Sequence, residues 1–173
     1  MERTLVEIKD LKKGFPIRGG VFGREIGRVH AVRGVSLSIR KGEVLGLVGE
    51  SGCGKSTLGM LMLRLVDSDS GKIIFDGMDI TAVSQSKLRL LRQRMQIVFQ
   101  DPYASLNPRM KAGEIIAEPL VIHGMGDRAA RRERVLDLIS KVGLPESAYS
   151  KYPHEFSGGQ RQRIGIARAI AMN

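Results

Sequence analysis

The stretch "GESGCGKST" (49–57) fits the pattern G-x-x-x-x-G-K-[ST]. Phosphate binding needs several hydrogen-bond donors in a small volume, and glycines let a loop wrap closely enough for its backbone N–H groups to point inward. The apolar run "EVLGLVG" (43–49) precedes the loop like a buried strand, and "KSTLGMLMLRLV" (55–66) follows it like a helix. Because a helix N-terminus favours an anion, the sequence predicts a nucleotide-phosphate site between a strand and a helix.

The pattern also assigns roles within the loop. Lys55 is expected on the β- and γ-phosphates, Ser56 on Mg²⁺ and Thr57 near the α-phosphate. Cys53 is interpreted as a small side chain that fits the loop, not as a functional thiol. The residues of the loop that we expect to contact the nucleotide are Gly49, Glu50, Ser51, Gly52, Cys53, Gly54, Lys55, Ser56 and Thr57.

Hydrophobic patterning around the loop predicts a mixed α/β chain whose first part is rich in strands. "TLVEIKDL" (4–11) and "AVRGVSLSI" (31–39) alternate like half-exposed strands, and "KIIFDG" (72–77) and "MQIVFQ" (95–100) are also typical of strands. Gln100 should then lie at the carboxyl end of a strand, where ligands gather in open α/β sheets. A neutral amide there could bind Mg²⁺ or orient a water.

The second part of the chain is predicted to be mostly helical. A short basic helix is expected around 87–92, and "GEIIAEPLVIHG" (113–124) is helical in pattern, although Pro119 should break or kink it. "RERVLDLISKVGLP" (132–145) places four apolar side chains on one helical face: Val135, Leu138, Ile139 and Val142.

Composition restricts the class of protein. The 173 residues include 28 basic and 18 acidic side chains, for a net charge of +10, which raises the question of nucleic acid or an anionic membrane surface. With 5% aromatic residues and no tryptophan, stacking platforms for single strands are scarce, so we favour a solvated, mildly membrane-facing basic surface. One cysteine excludes an internal disulfide, and the apolar runs fall short of a membrane span, with no apolar signal region at the N-terminus.

The stretch "EFSGGQRQR" (155–163) begins a helix in an unusual way. Ser157 and Gln160 can form a capping box, yet Gly158 and Gly159 fill the first turn, where each weakens the helix by up to about 1 kcal/mol relative to alanine. Glycines there make sense if another group must approach the backbone closely.

Together these motifs resemble the ATP-binding subunits of ABC transporters. "GESGCGKST" is similar to their Walker A, Gln100 to the Q-loop glutamine, and "FSGGQ" (156–160) to the signature, with phenylalanine in place of the commoner leucine. Phe15 falls where the family has an aromatic that stacks on adenine. "LKKGFPIRGGVFGR" (11–24), "VFQDPYASLNPRM" (98–110) and "YPHEFSGGQRQR" (152–163) are similar to the oligopeptide/dipeptide import branch, although Gly14 stands where that branch has an aromatic.

The resemblance implies an α/β fold, a P-loop NTPase of the ABC type with a β-rich nucleotide-binding core and a helical subdomain. We expect one such domain over 1–173, lacking the C-terminal half of the core: core 1–100, helical subdomain 101–156 and signature helix 157–173. ATP and Mg²⁺ are the implied cofactors, with Lys55 and Gln100 catalytic and Ser56 and Gln100 on the metal. Ser157, Gly158, Gly159 and Gln160 would face the nucleotide of a second ATP-binding subunit, identical or different, in a head-to-tail dimer.

The resemblance also implies a place in the cell and a partner. The chain is expected to be peripheral to the cytoplasmic face of the inner or plasma membrane, to dock on membrane permease subunits and to power peptide import by ATP hydrolysis, without binding nucleic acid. The family's Mg²⁺-holding carboxylate and water-activating glutamate come after the signature helix, so we expect the 173-residue chain alone to bind ATP weakly and hydrolyse none. The alternative is a non-transport ABC ATPase that acts on nucleic acid or the ribosome.

Overall fold

The computed structural model of the chain describes residues 3–20, 23–100 and 105–172. They divide into two compact units, Met1–Leu90 and Leu91–Asn173. The first unit contains the strands and the glycine-rich loop, and the second is helical, so the mixed α/β character predicted from the sequence is confirmed.

The first unit is built on an antiparallel sheet. Its strands are β1 (Thr4–Gly19), β2 (Arg24–Arg40), β3 (Ser70–Phe75) and β4 (Met78–Asp79), in the order β2-β1-β3-β4. The strands predicted over 4–11, 31–39 and 72–77 are therefore confirmed, and β1 and β2 extend further as a long hairpin. The sheet buries five apolar side chains: Ile8, Leu11, Val32, Ile73 and Phe75.

Two apolar runs that were predicted as strands, 43–49 and 95–100, are not strands. Val44 is 96% exposed and Val48 98% exposed, and Val98 and Phe99 are about half exposed. An apolar run becomes a buried strand only where a neighbouring strand completes its hydrogen-bond ladder. Within the described ranges, no strand pairs with either run.

The helix after the loop, α1 (Lys55–Met62), ends earlier than the predicted 55–66. Arg64 adopts the left-handed conformation (φ 53°), and the N–H groups of Arg64 and Leu65 donate to the carbonyls of Leu61 and Met60. This pair of bonds is a Schellman motif, which closes a helix C-terminus. The next helix, α2 (Gln85–Leu91), is the short basic helix predicted around 87–92.

Within the described residues 105–172, three helices of the second unit pack around one apolar core. They are α3 (Ala112–Ile122), α4 (Arg128–Lys141) and α5 (Gly158–Ala169), with 3₁₀ turns at Glu146–Ser150 and Pro153–Glu155. The predicted apolar face of α4 is buried at Val135, Leu138 and Ile139, whereas Val142 packs half-buried at the helix end. The other large buried side chains of this core are Leu106, Ile115, Ile116, Leu120, Leu144, Phe156 and Ile164.

Pro119 does not break its helix, so the first of the two predicted effects, a break or a kink, is wrong. It lies inside α3, and the chain continues helical until His123, whose N–H donates to the Pro119 carbonyl at 3.1 Å. A proline in a helix interior costs about 3 kcal/mol, but burial of one large aliphatic side chain contributes about 1.5–3 kcal/mol. Ile115, Ile116 and Leu120 are all buried on the inner face of α3, so tertiary packing outweighs the local penalty.

Candidate functional site

The glycine-rich loop closes around the ammonium group of Lys55. Lys55 Nζ donates to the carbonyl oxygens of Gly49 at 2.6 Å and Glu50 at 2.5 Å, and Cys53 Sγ lies 3.5 Å from it. The ammonium group of Lys55 thus lies on the inner side of the curved loop. A phosphate oxygen that binds this ammonium has to compete with two carbonyls for its protons.

The loop reaches strand β2 at a point where only glycine fits. Gly54 has a φ of 99°, and a Cβ built on it would lie 2.2 Å from the carbonyl oxygen of Ala31. Ala31 is the extra residue of a β-bulge, because Lys13 pairs with Val32 and Gly14 with His30. The bulge therefore fixes how closely the loop packs on the sheet.

The start of α1 offers donors to an anion. Gly54 occupies the N-cap position and has no side chain with which to cap the first-turn N–H groups of Lys55, Ser56 and Thr57. Ser56 is exposed, so its hydroxyl is accessible at the mouth of the loop. This combination of helix N-terminus, lysine and hydroxyl is suited to a phosphate chain and its divalent cation.

A cleft of about 550 Å³ opens beside the loop, within the size range of small-molecule sites. One wall is β2, and the other consists of the loop, the run before it and the start of α1. Cationic groups and aliphatic side chains share the lining, which suits a ligand with both an anionic and an apolar part. The lining residues include Val29, His30, Arg33, Val48, Lys55 and Leu58.

Phe15 lies on β1 directly opposite Val29, which lines the cleft. Phe15 is 39% exposed, and the Lys13 ammonium lies over its ring at 5.5 Å from the ring centroid. Val29 is two residues from Ala31, where Gly54 packs, and two residues of a strand span about 7 Å. The fold thus pairs the predicted stacking residue with the strand against which the phosphate loop packs.

The backbone beside Phe15 is held by a residue that sequence reasoning missed. Asp69 accepts hydrogen bonds from the Gly14 N–H at 2.7 Å and from Lys13 Nζ at 3.1 Å. The Gly14 amide, and after it the Lys13 ammonium, lower the pKa of the Asp69 carboxyl from its ordinary value. No local pattern could have found this contact, since 55 residues separate Asp69 from Gly14.

The predicted capping box at the start of α5 is confirmed. Ser157 Oγ accepts from the Gln160 N–H at 3.3 Å, and Gln160 Oε1 accepts from the Ser157 N–H at 3.0 Å. Gly158 and Gly159 are exposed, and outside the local backbone no atom of the described part of the chain lies within 4 Å of a Cβ built on either. The buried Arg161 anchors this turn by donating from Nε to the Phe156 carbonyl at 3.0 Å.

Gln100 is exposed and does not end a strand, so the geometry inferred for it from the sequence was wrong. It belongs to the second unit and the loop to the first, and its role at a metal stays a prediction. Residues 101–104, which begin the predicted helical subdomain, lie outside the described residues.

Among the described residues there is no cluster of three or more His, Cys, Asp or Glu side chains placed to hold a metal ion. None of the described helices has the length and apolar character needed to cross a membrane.

Comparison with known sequences gives consistent matches. Residues 32–173 match the family model described as ABC transporter. The chain is 55% identical to the oligopeptide transport ATP-binding protein AppF of Bacillus subtilis, over 99% of this chain and 53% of that protein. It is 54% identical to the glutathione import ATP-binding protein GsiA of Salmonella paratyphi A, over 98% of this chain and 27% of that protein. The chain thus spans about half or less of the length of these relatives.

Comparison with solved structures gives the same fold. The dimeric post-hydrolysis state of the ATP-binding cassette MJ0796, bound to ADP and Pi, superposes with a TM-score of 0.86 at 29% identity, over 97% of this chain and 70% of that one. The structure of cbiO1 from Clostridium perfringens, part of the ABC transporter complex cbiONQ, gives a TM-score of 0.76 at 27% identity, over 99% of this chain and 62% of that one.

Proposed function

The chain belongs to the ABC transporter family, and on that premise we propose that it forms the nucleotide-binding part of an ATPase subunit that powers peptide import. The observation that carries the proposal is the loop 49–57, closed around Lys55 beside a cleft of suitable size. The names of the relatives support the transported class, since they are oligopeptide, glutathione and peptide transport proteins.

In this proposal, each part of the site binds one part of MgATP. Lys55 and the first-turn N–H groups of α1 bind the phosphates, and Phe15 stacks on the base. Ser56 and Gln100 would hold Mg²⁺, which when bound neutralises charge on the β- and γ-phosphates. An exposed hydroxyl and a neutral amide are oxygen ligands of the kind that Mg²⁺ accepts.

We also propose that the chain pairs head to tail with a second ATP-binding subunit. Ser157, Gly158 and Gly159 would then face the γ-phosphate held by the partner's loop. The open space over the two glycines supports this arrangement, because a phosphate can approach the free N–H groups of α5 closely. The dimeric state named for the similar cassette MJ0796 supports it as well.

Membrane permease subunits are the proposed docking partners, with the chain peripheral to the cytoplasmic face of the membrane. The relatives' names describe ATP-binding proteins of transport systems, which supports this placement. We expect no ATP hydrolysis by these 173 residues alone, and this stays a prediction.

Equilibrium titration with a fluorescent ATP analogue, in the presence and absence of Mg²⁺, tests the proposed site. We expect saturable binding that unlabelled ATP displaces and that Mg²⁺ strengthens. Binding that ATP does not displace, or that the Lys55→Ala variant retains in full, would overturn the assignment.

A further inference from the structure

The hairpin segment around Phe15 is fastened to the loop that leads into β3. Each carboxylate oxygen of Asp69 accepts one hydrogen bond: Oδ2 accepts from the Gly14 N–H at 2.7 Å and Oδ1 from Lys13 Nζ at 3.1 Å. The Asp69 N–H in turn donates to the Lys12 carbonyl at 2.9 Å. One residue thus fixes three consecutive positions of β1, immediately before Phe15.

The Lys13 side chain is fixed along with the backbone. It is only 16% exposed, and its ammonium lies over the Phe15 ring at 5.5 Å from the centroid while it is bonded to Asp69. Residues two apart on a strand project on the same side, so Lys13 and Phe15 are natural neighbours. A lysine held in this way covers one side of the ring, while Phe15 as a whole stays 39% exposed.

Arg28 lies beside the same segment and packs over Gly14. A Cβ on Gly14 would lie 2.8 Å from Arg28 Cδ and 2.9 Å from Arg28 Cγ, so the arginine stem lies over this glycine. Arg28 Nη1 lies 3.7 Å from Asp69 Oδ2, and Arg28 Nε lies 3.5 Å from a Glu25 oxygen. The aliphatic stem of Arg28 therefore occupies the space where a side chain at position 14 would project, and its guanidinium lies near Asp69.

We propose that Asp69 is a positioning residue for the base-binding half of the nucleotide site: it holds Gly14 and Lys13 so that one side of the Phe15 ring stays covered and the other is presented to the base. The inference rests on the proposed function, since it deepens the role given to Phe15. Asp69 itself need not touch the nucleotide. Its effect is transmitted through the backbone at Gly14 and through the Lys13 ammonium.

A purely structural role for Asp69 would have a different signature. Loss of a carboxylate that merely joins two segments would loosen the whole first unit, including the loop at Lys55. Loss of the positioning role would weaken only the contact with the base. Inorganic tripolyphosphate has the phosphates of ATP and no base, so a comparison of the two ligands separates the two roles.

The experiment measures dissociation constants of ATP and tripolyphosphate by calorimetric titration of the purified chain and its variants. We expect Asp69→Ala to weaken ATP binding by about 3- to 10-fold, because it removes a part of the stacking energy between Phe15 and the base. The affinity for tripolyphosphate should not change. Asp69→Asn keeps an acceptor for the Gly14 N–H and should lie between the wild type and Asp69→Ala. In the Phe15→Ala background, Asp69→Ala should cause no further loss, because both substitutions remove the same contact.

The control variant is Asp79→Ala. It removes a carboxylate from β4, which forms the edge of the sheet opposite to β2. It should leave both affinities unchanged. Equal weakening of ATP and tripolyphosphate by Asp69→Ala would overturn the inference in favour of a structural role. Unchanged ATP affinity in Asp69→Ala, with a loss in Phe15→Ala, would also overturn it but leave the proposed function intact. If neither Lys55→Ala nor Phe15→Ala weakened ATP binding, the proposed function itself would fail.

Discussion

The ammonium of Lys55 lies 2.6 Å from the carbonyl oxygen of Gly49, so the first and the seventh residues of the loop are joined through the lysine side chain. The two hydrogen bonds of the ammonium hold the loop in its curved conformation. Lys55 therefore shapes the loop, and the proposed function gives it a second role in binding the phosphates of the ligand.

Replacement of this lysine tests both functions. Lys55→Ala should weaken ATP binding by about 2–3 kcal/mol, or roughly 30- to 150-fold, because a phosphate oxygen loses a charged hydrogen-bond partner. Fluorescent-nucleotide titration measures the change. Lys87→Ala, on the exposed surface of α2, is the matched control and should bind as the wild type does.

The contact between the loop and the bulge predicts a glycine requirement at position 54. Gly54→Ala should lower the stability of the first unit by about 1–3 kcal/mol and weaken ATP binding, since the new Cβ meets the Ala31 carbonyl in a backbone conformation that disfavours alanine. Gly59→Ala, inside α1 with open space around its Cβ, should be neutral or stabilising by up to about 1 kcal/mol. Thermal unfolding measures the melting temperatures of both variants. Equal melting temperatures for Gly54→Ala and Gly59→Ala would contradict the close contact between position 54 and the Ala31 carbonyl.

Cys53 offers a chemical probe of the same loop. It is exposed and lies 3.5 Å from Lys55 Nζ, so maleimide should label it readily in the free protein. MgATP should slow the labelling, because the bound phosphates would cover the loop. Mass spectrometry of protein labelled with and without MgATP measures the protection, and equal labelling would place Cys53 outside the footprint of the nucleotide.

Substitutions at Ser157 separate the helix cap from the proposed dimer contact. Ser157→Ala and Ser157→Arg both lose the side-chain bond to the Gln160 N–H, at a cost of about 1 kcal/mol. Only the arginine would also block the approach of a partner's phosphate to Gly158 and Gly159. We expect ATP-dependent dimerisation, measured by sedimentation, to persist in Ser157→Ala and disappear in Ser157→Arg, with monomer ATP affinity retained in both. Dimerisation by the arginine variant would argue against the proposed contact.

The Asp69 contacts predict a pH dependence of stability. Because the folded state lowers the pKa of this carboxyl below that of the unfolded chain, near 4, its contribution is complete above that value and is lost as the pH falls through the folded pKa. The wild type should therefore lose more stability than Asp69→Asn between pH 6 and pH 3. Urea unfolding midpoints at the two pH values measure the difference, and parallel losses would show that the contacts contribute nothing.

Local features of the sequence were sufficient to predict several parts of the structure. The alternation in 4–11 and 31–39 and the apolar run in 72–77 predicted strands, and the spacing of Val135, Leu138 and Ile139 predicted the buried face of α4. The capping box was predicted because its two hydrogen bonds join residues only three apart. In each case the information lies within one turn or one strand.

What the sequence by itself determined is which groups the loop 49–57 contains, because glycines that free the backbone, a lysine and a hydroxyl follow one another at a spacing that can be read locally. The tertiary structure alone decided that 43–49 and 95–100 are not strands, that α3 continues through Pro119, that Ala31 meets Gly54, and that Asp69 fixes the segment before Phe15. Hydrophobicity tells how much surface a segment can bury but not which neighbour will cover it. Contacts between residues far apart in the chain depend on the register of the strands and the closing of the hairpin, which no short stretch of sequence specifies.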